Sequence, residues 1–218
     1  MTPEEIAKIK WNESRKNKPD LRLAEDLWME DYKELITTSK GPVIDLGCGG
    51  GYDTEILLGW GMDVISCDYS EVAIDNLRYA FKDLPAGRWT AKCFDMTESF
   101  PFDDSFTDLI IADLSLHYFT EENTNKITEE IFRILKPGGH LLMRVNTLED
   151  ANFGSDSGDE IEPHLKRLDD GRLKRFFDRN DIKRFFEKFE IEEIRDGSMR
   201  RYGPEKKLLT AKIKKGIC

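Results

Sequence analysis

Apolar residues fall along this chain in two alternating rhythms. Short, β-branched runs bounded by glycine, proline or aspartate predict strands at Pro42–Leu46, Asp63–Cys67, Arg88–Phe94, Asp108–Leu114 and His140–Val145. Between them, apolar positions recur every three to four residues. Ala73, Leu77, Phe81 and Leu84 form one stripe behind Ser70, a residue suited to cap a helix. Ile127, Ile131, Ile134 and Leu135 form another, stopped by Lys136-Pro137-Gly138-Gly139. Ile182, Phe185, Phe186 and Phe189 follow Asp178, and a helix near Leu21–Ile36 precedes the first strand. Two last strands, near Glu190–Ile194 and Lys207–Lys214, are placed to pair as an antiparallel hairpin. Thr147–Pro163 has neither rhythm and predicts a loop, with Gly154 and Gly158 as its flexible points.

Strands that alternate with helices in this way argue for an α/β layered fold with parallel strands and crossover helices. In open sheets of this kind, ligands sit beyond the carboxyl ends of the strands. The residues just after each strand therefore carry the functional reading.

Composition narrows the class. With 218 residues, 39% hydrophobic and 35% charged, the chain suits one domain that buries a core. No apolar run is long enough to span a bilayer. Met1-Thr2-Pro3-Glu4-Glu5 lacks the basic and apolar regions of a signal peptide. Cys48, Cys67, Cys93 and Cys218 are far apart and form no CxxC pair, which argues against a disulfide scaffold or a zinc site. The expectation is a reduced, cytoplasmic protein with no membrane association and no metal.

Charge is divided unevenly. Residues 1–163 hold 16 basic and 33 acidic side chains, whereas residues 164–218 hold 17 and 10. An acidic whole, net −10, argues against nucleic acid as a partner, since neutralised phosphates supply that affinity. The basic last quarter is either a solvated face or a means of holding an anionic substrate, with His164, Lys166, Arg167, Arg200 and Arg201 as candidates.

The first strand ends in Asp45-Leu46-Gly47-Cys48-Gly49-Gly50-Gly51, followed by Tyr52. Glycines allow a tight turn and close approach of a ligand to the backbone. A dinucleotide fingerprint needs Gly or Ala where Tyr52 stands, and a P-loop needs a GK[ST] that is absent. A carboxylate at Asp45 would repel a pyrophosphate but suits a cationic ligand. Asp45–Gly51 resembles the D/E-x-G-x-G-x-G signature of class I S-adenosylmethionine-dependent methyltransferases, whose cofactor carries an ammonium and a sulfonium. Phe100-Pro101-Phe102, the Leu114–Phe119 segment and Leu135–Gly139 (LKPGG) also match the family's spacing, over residues 40–146. Residues 147–218 resemble the variable end of bacterial small-molecule enzymes, including the tellurite-resistance methyltransferases.

That resemblance implies a Rossmann-like seven-stranded, mostly parallel sheet, last strand antiparallel, with helices on both faces. It implies one methyltransferase domain over 1–218: an N-terminal helical cap (1–39), a cofactor-binding core (40–146), a lid-like insertion (147–177) and a C-terminal helix and hairpin (178–218). S-adenosyl-L-methionine would be held by Asp45, Gly47, Cys48, Gly49 and Gly51. Asp68 would accept the ribose hydroxyls, and Tyr69 would flank the adenine. Asp95 would accept from the adenine amino group, with Met96 packing on the ring or donating its backbone N–H. Asp113 would stand beside the sulfonium. His117 either takes a proton from the acceptor or packs and orients other groups. The N-terminal segment, with Trp11 and Tyr32, and the 147–163 loop would cover the site.

The D/N-P-P-Y/F and Pro-Cys motifs of base-modifying methyltransferases are absent after the fourth strand. The expected reaction is methyl transfer to a small-molecule substrate. A non-catalytic S-adenosylmethionine-binding module or accessory subunit would use the same cofactor residues, and an RNA or protein methyltransferase would use the basic end.

Overall fold

The computed structural model describes residues 3–16 and 26–217. In chain order the helices and strands are α1 (Pro3–Arg15), α2 (Lys33–Thr37), β1 (Val43–Leu46), α3 (Tyr52–Gly59), β2 (Val64–Asp68) and α4 (Glu71–Ala80). Then follow β3 (Trp89–Cys93), β4 (Thr107–Asp113), α5 (Glu121–Ile134), β5 (Leu135–Asn146), β6 (Asp159–Glu162), β7 (Leu165–Arg167) and β8 (Leu173–Arg175). The chain closes with α6 (Arg179–Phe185), β9 (Glu190–Met199) and β10 (Lys206–Lys214). The helix predicted near Leu21–Ile36 appears as a 3-10 turn, Trp28–Tyr32, leading into α2; residues 21–25 of it lie outside the described residues.

The main sheet has the order β3-β2-β1-β4-β5-β10-β9. Strands β1 to β5 pair in parallel, and β10 runs antiparallel to both its neighbours. This is the Rossmann-like arrangement the resemblance implies. Alternation along the strands explains the two covered faces. Val43, Leu109 and Ile111 point into a cluster with Met29, Tyr32, Ile36 and Leu57. Ile44, Ile110 and Ala112 point the other way, onto Ile127, Ile131, Ile182 and Phe185. Strands buried on both faces need continuous apolar sequence, which is how they read.

The expected cap forms at Ser70. Ser70 Oγ accepts from Ala73 N at 3.2 Å. Asp178 closes a reciprocal capping box with Asp181 at the start of α6. Helix α5 stops at Ile134, but Lys136-Pro137-Gly138-Gly139 is extended and belongs to β5. A register shift opposite Thr107–Leu109 absorbs the extra residues.

The polar stretch Thr147–Pro163 is a correction, since it is not all loop. Strand β6 pairs with β7, and β7 with β8, in a separate three-stranded antiparallel sheet. Strand β6 is an edge of acidic residues, with Ile161 exposed. Backbone pairing holds it, so it lacks the apolar alternation that reveals buried strands. Gly154 and Gly158 do occupy the left-handed region, at φ 100° and 78°.

Candidate functional site

The carboxyl ends of β1 to β4 open into a cavity of about 650 Å³, closed over by α1, the small sheet and the residues before β10. Gly47 shows why the sequence must be what it is here. Its φ is 78°, and a Cβ would stand 2.3 Å from Ser115 Cβ. The turn after β1 thus lies directly on the segment after β4, where Ser115 Oγ donates to Leu46 O at 2.6 Å. Gly47 N and Cys48 N both donate to Cys67 O, at 2.7 and 2.9 Å, which fixes the turn against β2. Leu114, at φ 55°, holds a left-handed conformation costly for a branched side chain.

Of the residues singled out in the sequence, Asp45, Gly47, Cys48, Gly49, Asp68, Tyr69, Asp95, Met96, Asp113 and His117 all line this cavity. Gly51 does not. At φ 80° it begins α3, and a Cβ there would stand 2.4 Å from Leu77 Cδ2, so it sets the approach of α3 to α4.

The carboxylates differ in state. Asp45 is buried and accepts from Thr54 Oγ1 at 2.5 Å. Burial pushes its carboxyl up to about 7, and the charges of Asp113 and Asp68 add to the rise. Asp68 accepts from Gly49 N at 2.9 Å on Oδ2 and from Ser70 N at 2.8 Å on Oδ1. Burial raises its carboxyl too, opposed by those bonds. Asp95 turns Oδ1 onto Thr97 N and Oγ1, at 2.9 and 2.8 Å.

Asp113 meets the cavity as part of an ion-pair ring and not as a free acceptor. Arg144 grips it through Nε at 2.7 Å and Nη2 at 3.0 Å, and grips Asp26 through Nη1 and Nη2 at 3.0 and 2.8 Å. Arg201 joins the same two carboxylates at 2.7 and 2.9 Å and lies over the Tyr52 ring. Burial alone would raise the Asp113 carboxyl, but the two guanidinium groups outweigh it and lower it to about 2. The sequence reading missed Asp26 and Arg144. The signal for Arg144 was present, since a charged residue inside the apolar run His140–Val145 requires a buried partner.

The basic candidates of the last quarter are placed differently from expectation. Arg201 reaches the cavity but is committed to the ring. His164 is used at α6, with Nδ1 2.7 Å from Asp181 Oδ2. Arg167 and Arg200 are exposed, Lys166 is half-buried in β7, and none of the three lines the cavity. Among the described residues, the cations that do line it are Arg15, Arg172, Lys174, Arg201 and Lys206.

His117 is buried, and its Nδ1 has no partner among the described residues. Burial and the nearby Lys174 and Lys206 hold it well below the usual histidine range, so it is neutral. Its carbonyl accepts from Arg175 N at 2.7 Å, tying the small sheet to the segment after β4.

Two expected covers separate. Trp11 of α1 lines the cavity, edge-on to Tyr118 at 5.5 Å and beneath the Arg172 guanidinium. Arg15 of the same helix lies over Gly49 and Gly50. Tyr32 does not reach the site: it belongs to the core cluster under the opposite face and donates to Glu193 at 3.0 Å. From residues 147–163, only Phe153 lines the cavity.

The cradle fits a ligand with a cationic part and several hydroxyl and amine donors. Acceptor carboxylates stand at the carboxyl ends of β1 and β2 and just after β3, and the glycine turn leaves backbone, not side chain, at the closest approach.

Comparison with known proteins gives the same reading. Residues 44–143 match a family described as Methyltransferase domain. An uncharacterized methyltransferase of Synechocystis sp. is 31% identical over 107 residues, 49% of this chain and 48% of that one. A tRNA N(3)-methylcytidine methyltransferase of Drosophila melanogaster is 27% identical over 149 residues, 65% of this chain and 46% of that one. The chain thus spans about half the length of these curated relatives. Among solved structures, a Burkholderia thailandensis 1,6-didemethyltoxoflavin-N1-methyltransferase, bound to that compound and S-adenosylhomocysteine, superposes with a TM-score of 0.72 at 17% identity. The alignment covers 99% of this chain and 91% of that one.

Proposed function

We propose that this chain, similar over residues 44–143 to the Methyltransferase domain family, is a class I S-adenosylmethionine-dependent methyltransferase that methylates a small molecule held inside the 650 Å³ cavity. The observation that carries the proposal is the set of elements that wall the cavity. Helix α1, Phe153, Arg172 and the stretch Arg201–Tyr202 all line it together with the glycine turn. A small acceptor fits such a chamber, whereas a folded RNA or protein would need an open face. The small-molecule complex of the Burkholderia neighbour supports the same choice.

The bound cofactor supplies a methyl group already activated by a positive sulfur. This chain's residues then need to hold, align and exclude water, and alignment alone is worth roughly 7–11 kcal/mol. Asp68 would accept the ribose hydroxyls, while Gly49 N and Ser70 N hold its carboxylate in place. Asp95, oriented by Thr97, would accept the adenine amino group beside Met96 and Tyr69. Asp45 would face the cationic part of the cofactor, which favours its ionised form. Trp11 and Tyr118 would close the chamber to water. His117, neutral and with Nδ1 unpartnered, would accept a proton or a hydrogen bond from the acceptor.

A homocysteine-coupled assay against pooled metabolite classes tests the proposal. Formation of S-adenosylhomocysteine that depends on one small-molecule pool supports it. No turnover with any pool, alongside tight S-adenosylhomocysteine binding, would favour a non-catalytic binding module. The tRNA enzyme among the relatives makes RNA the second acceptor class to include.

A further inference from the structure

The cavity carries a cationic feature outside the residues assigned above to the cofactor. Lys174, in β8, and Lys206, at the start of β10, are both almost fully buried, and both line the cavity. Their ammonium nitrogens lie over the same Phe153 ring, at 5.3 and 3.6 Å from its centroid. We propose that Lys174 and Lys206 together bind an anionic group, a carboxylate or comparable oxyanion, on the methyl acceptor; this rests on the small-molecule reading above.

Charge balance carries the argument. Asp150 is the acid paired with this couple, 3.3 Å from Lys206 Nζ. Its oxygens also accept from Lys207 N at 2.9 Å and from Asn146 Nδ2. Among the described residues Lys174 Nζ has one protein acceptor, the Phe153 carbonyl at 2.9 Å, which leaves two of its donors for a ligand. Two ammonium groups thus face one carboxylate, with neutral His117 adjoining. Arg172 adds no surplus, being paired with Asp170 at 2.8 Å. Buried charges are costly unless paired, and here the unpaired charge faces the space where a ligand sits. The strain shows in Lys174: burial first, then the charge of Lys206, pulls its ammonium down to about 7. An anion placed between the two nitrogens would let both stay charged and would satisfy their remaining N–H donors.

The cofactor's own carboxylate is the rival occupant. The placement favours the acceptor. The lysines come from the small sheet and β10, beside His117 after β4, whereas Arg15 already covers Gly49 and Gly50 of the cofactor turn.

The test is calorimetric titration of the S-adenosylhomocysteine-saturated protein with benzoate, phenyl phosphate and the neutral isostere benzamide. At least one anion should bind tenfold or more tighter than benzamide. Lys174→Met and Lys206→Met should each remove that preference while S-adenosylhomocysteine affinity stays within twofold. Equal or undetectable binding of the anions, or an undiminished preference in Lys174→Met, overturns the proposal. A tenfold loss of S-adenosylhomocysteine affinity in either variant also overturns it, by assigning the lysines to the cofactor. If Lys206→Met fails to fold because Asp150 loses its partner, Lys174→Met and Lys174→Gln decide alone. If the wild-type protein does not bind S-adenosylhomocysteine, the methyltransferase reading fails instead. The same titration of the protein without it then reads the lysine pair separately.

Discussion

Replacing Arg144 by methionine tests the ion-pair ring beneath the cavity. Arg144 is almost fully buried and joins Asp113 to Asp26, while Arg201 bridges the same two acids. Removing one partner of a buried pair leaves an uncompensated buried charge, at a cost of about 3–5 kcal/mol. The pH dependence gives a second measure. The Asp113 carboxyl falls from 3.8 to about 2, so its folded form binds protons more weakly than the unfolded chain. A lowered acid contributes stability that is complete above about pH 4 and is lost as pH falls towards 2. That contribution is on the order of 2 kcal/mol. Urea unfolding of wild type and Arg144→Met between pH 3 and 7 reads both effects. The variant should be less stable by about 3–5 kcal/mol at pH 7, and the acid-dependent loss from Asp113 should shrink. Adding Asp113→Asn should recover part of the deficit, since it removes the stranded charge. A cost below about 1 kcal/mol, the range of an exposed pair, would refute the reasoning.

Asp68→Ala should weaken S-adenosylhomocysteine binding by about 1.5–3 kcal/mol, roughly tenfold to over a hundredfold; an unchanged dissociation constant in calorimetry would mean the ribose is held elsewhere. Gly47→Ala should abolish cofactor binding or fold stability, because its Cβ would stand 2.3 Å from Ser115 Cβ in a left-handed turn; wild-type melting temperature and affinity together would contradict this. Asp45 rises to about 7 without a ligand, so S-adenosylmethionine affinity should increase with pH through that value, by up to about tenfold per unit below it. Asp45→Asn should flatten the profile, and an identical profile in the variant would remove Asp45 from contact with the cation.

The glycine turn and the acids after each strand were legible because each is local. A strand end, a positive-φ glycine and an acidic residue at fixed spacing need no distant partner to be recognised. Ser70 was legible as a cap for the same reason. Asp26 and Arg144, and Lys174 and Lys206, were not, because each pair is assembled from distant segments by the sheet order. Lys174 sits in a three-residue strand of the small sheet, where periodicity carries no signal. Arg200 and Arg201 show the limit of reading charge by position. They are adjacent in sequence, yet Arg200 is exposed and Arg201 is buried under the cavity in the ion-pair ring. Tyr32 was misplaced because an aromatic ahead of the first strand fits either a lid or a core, and only its packing beside Ile36 and Met29 decides.

The central claim is that a small molecule inside the cavity receives the methyl group. The most direct measurement supplies methyl-labelled S-adenosylmethionine to the protein with a cell extract, then separates molecules below about 1 kDa from RNA and protein. The account predicts protein-dependent label in the small-molecule fraction, reduced by Lys174→Met and by Asp68→Ala. Label that accumulates in RNA or protein, with none in the small-molecule fraction, would contradict it.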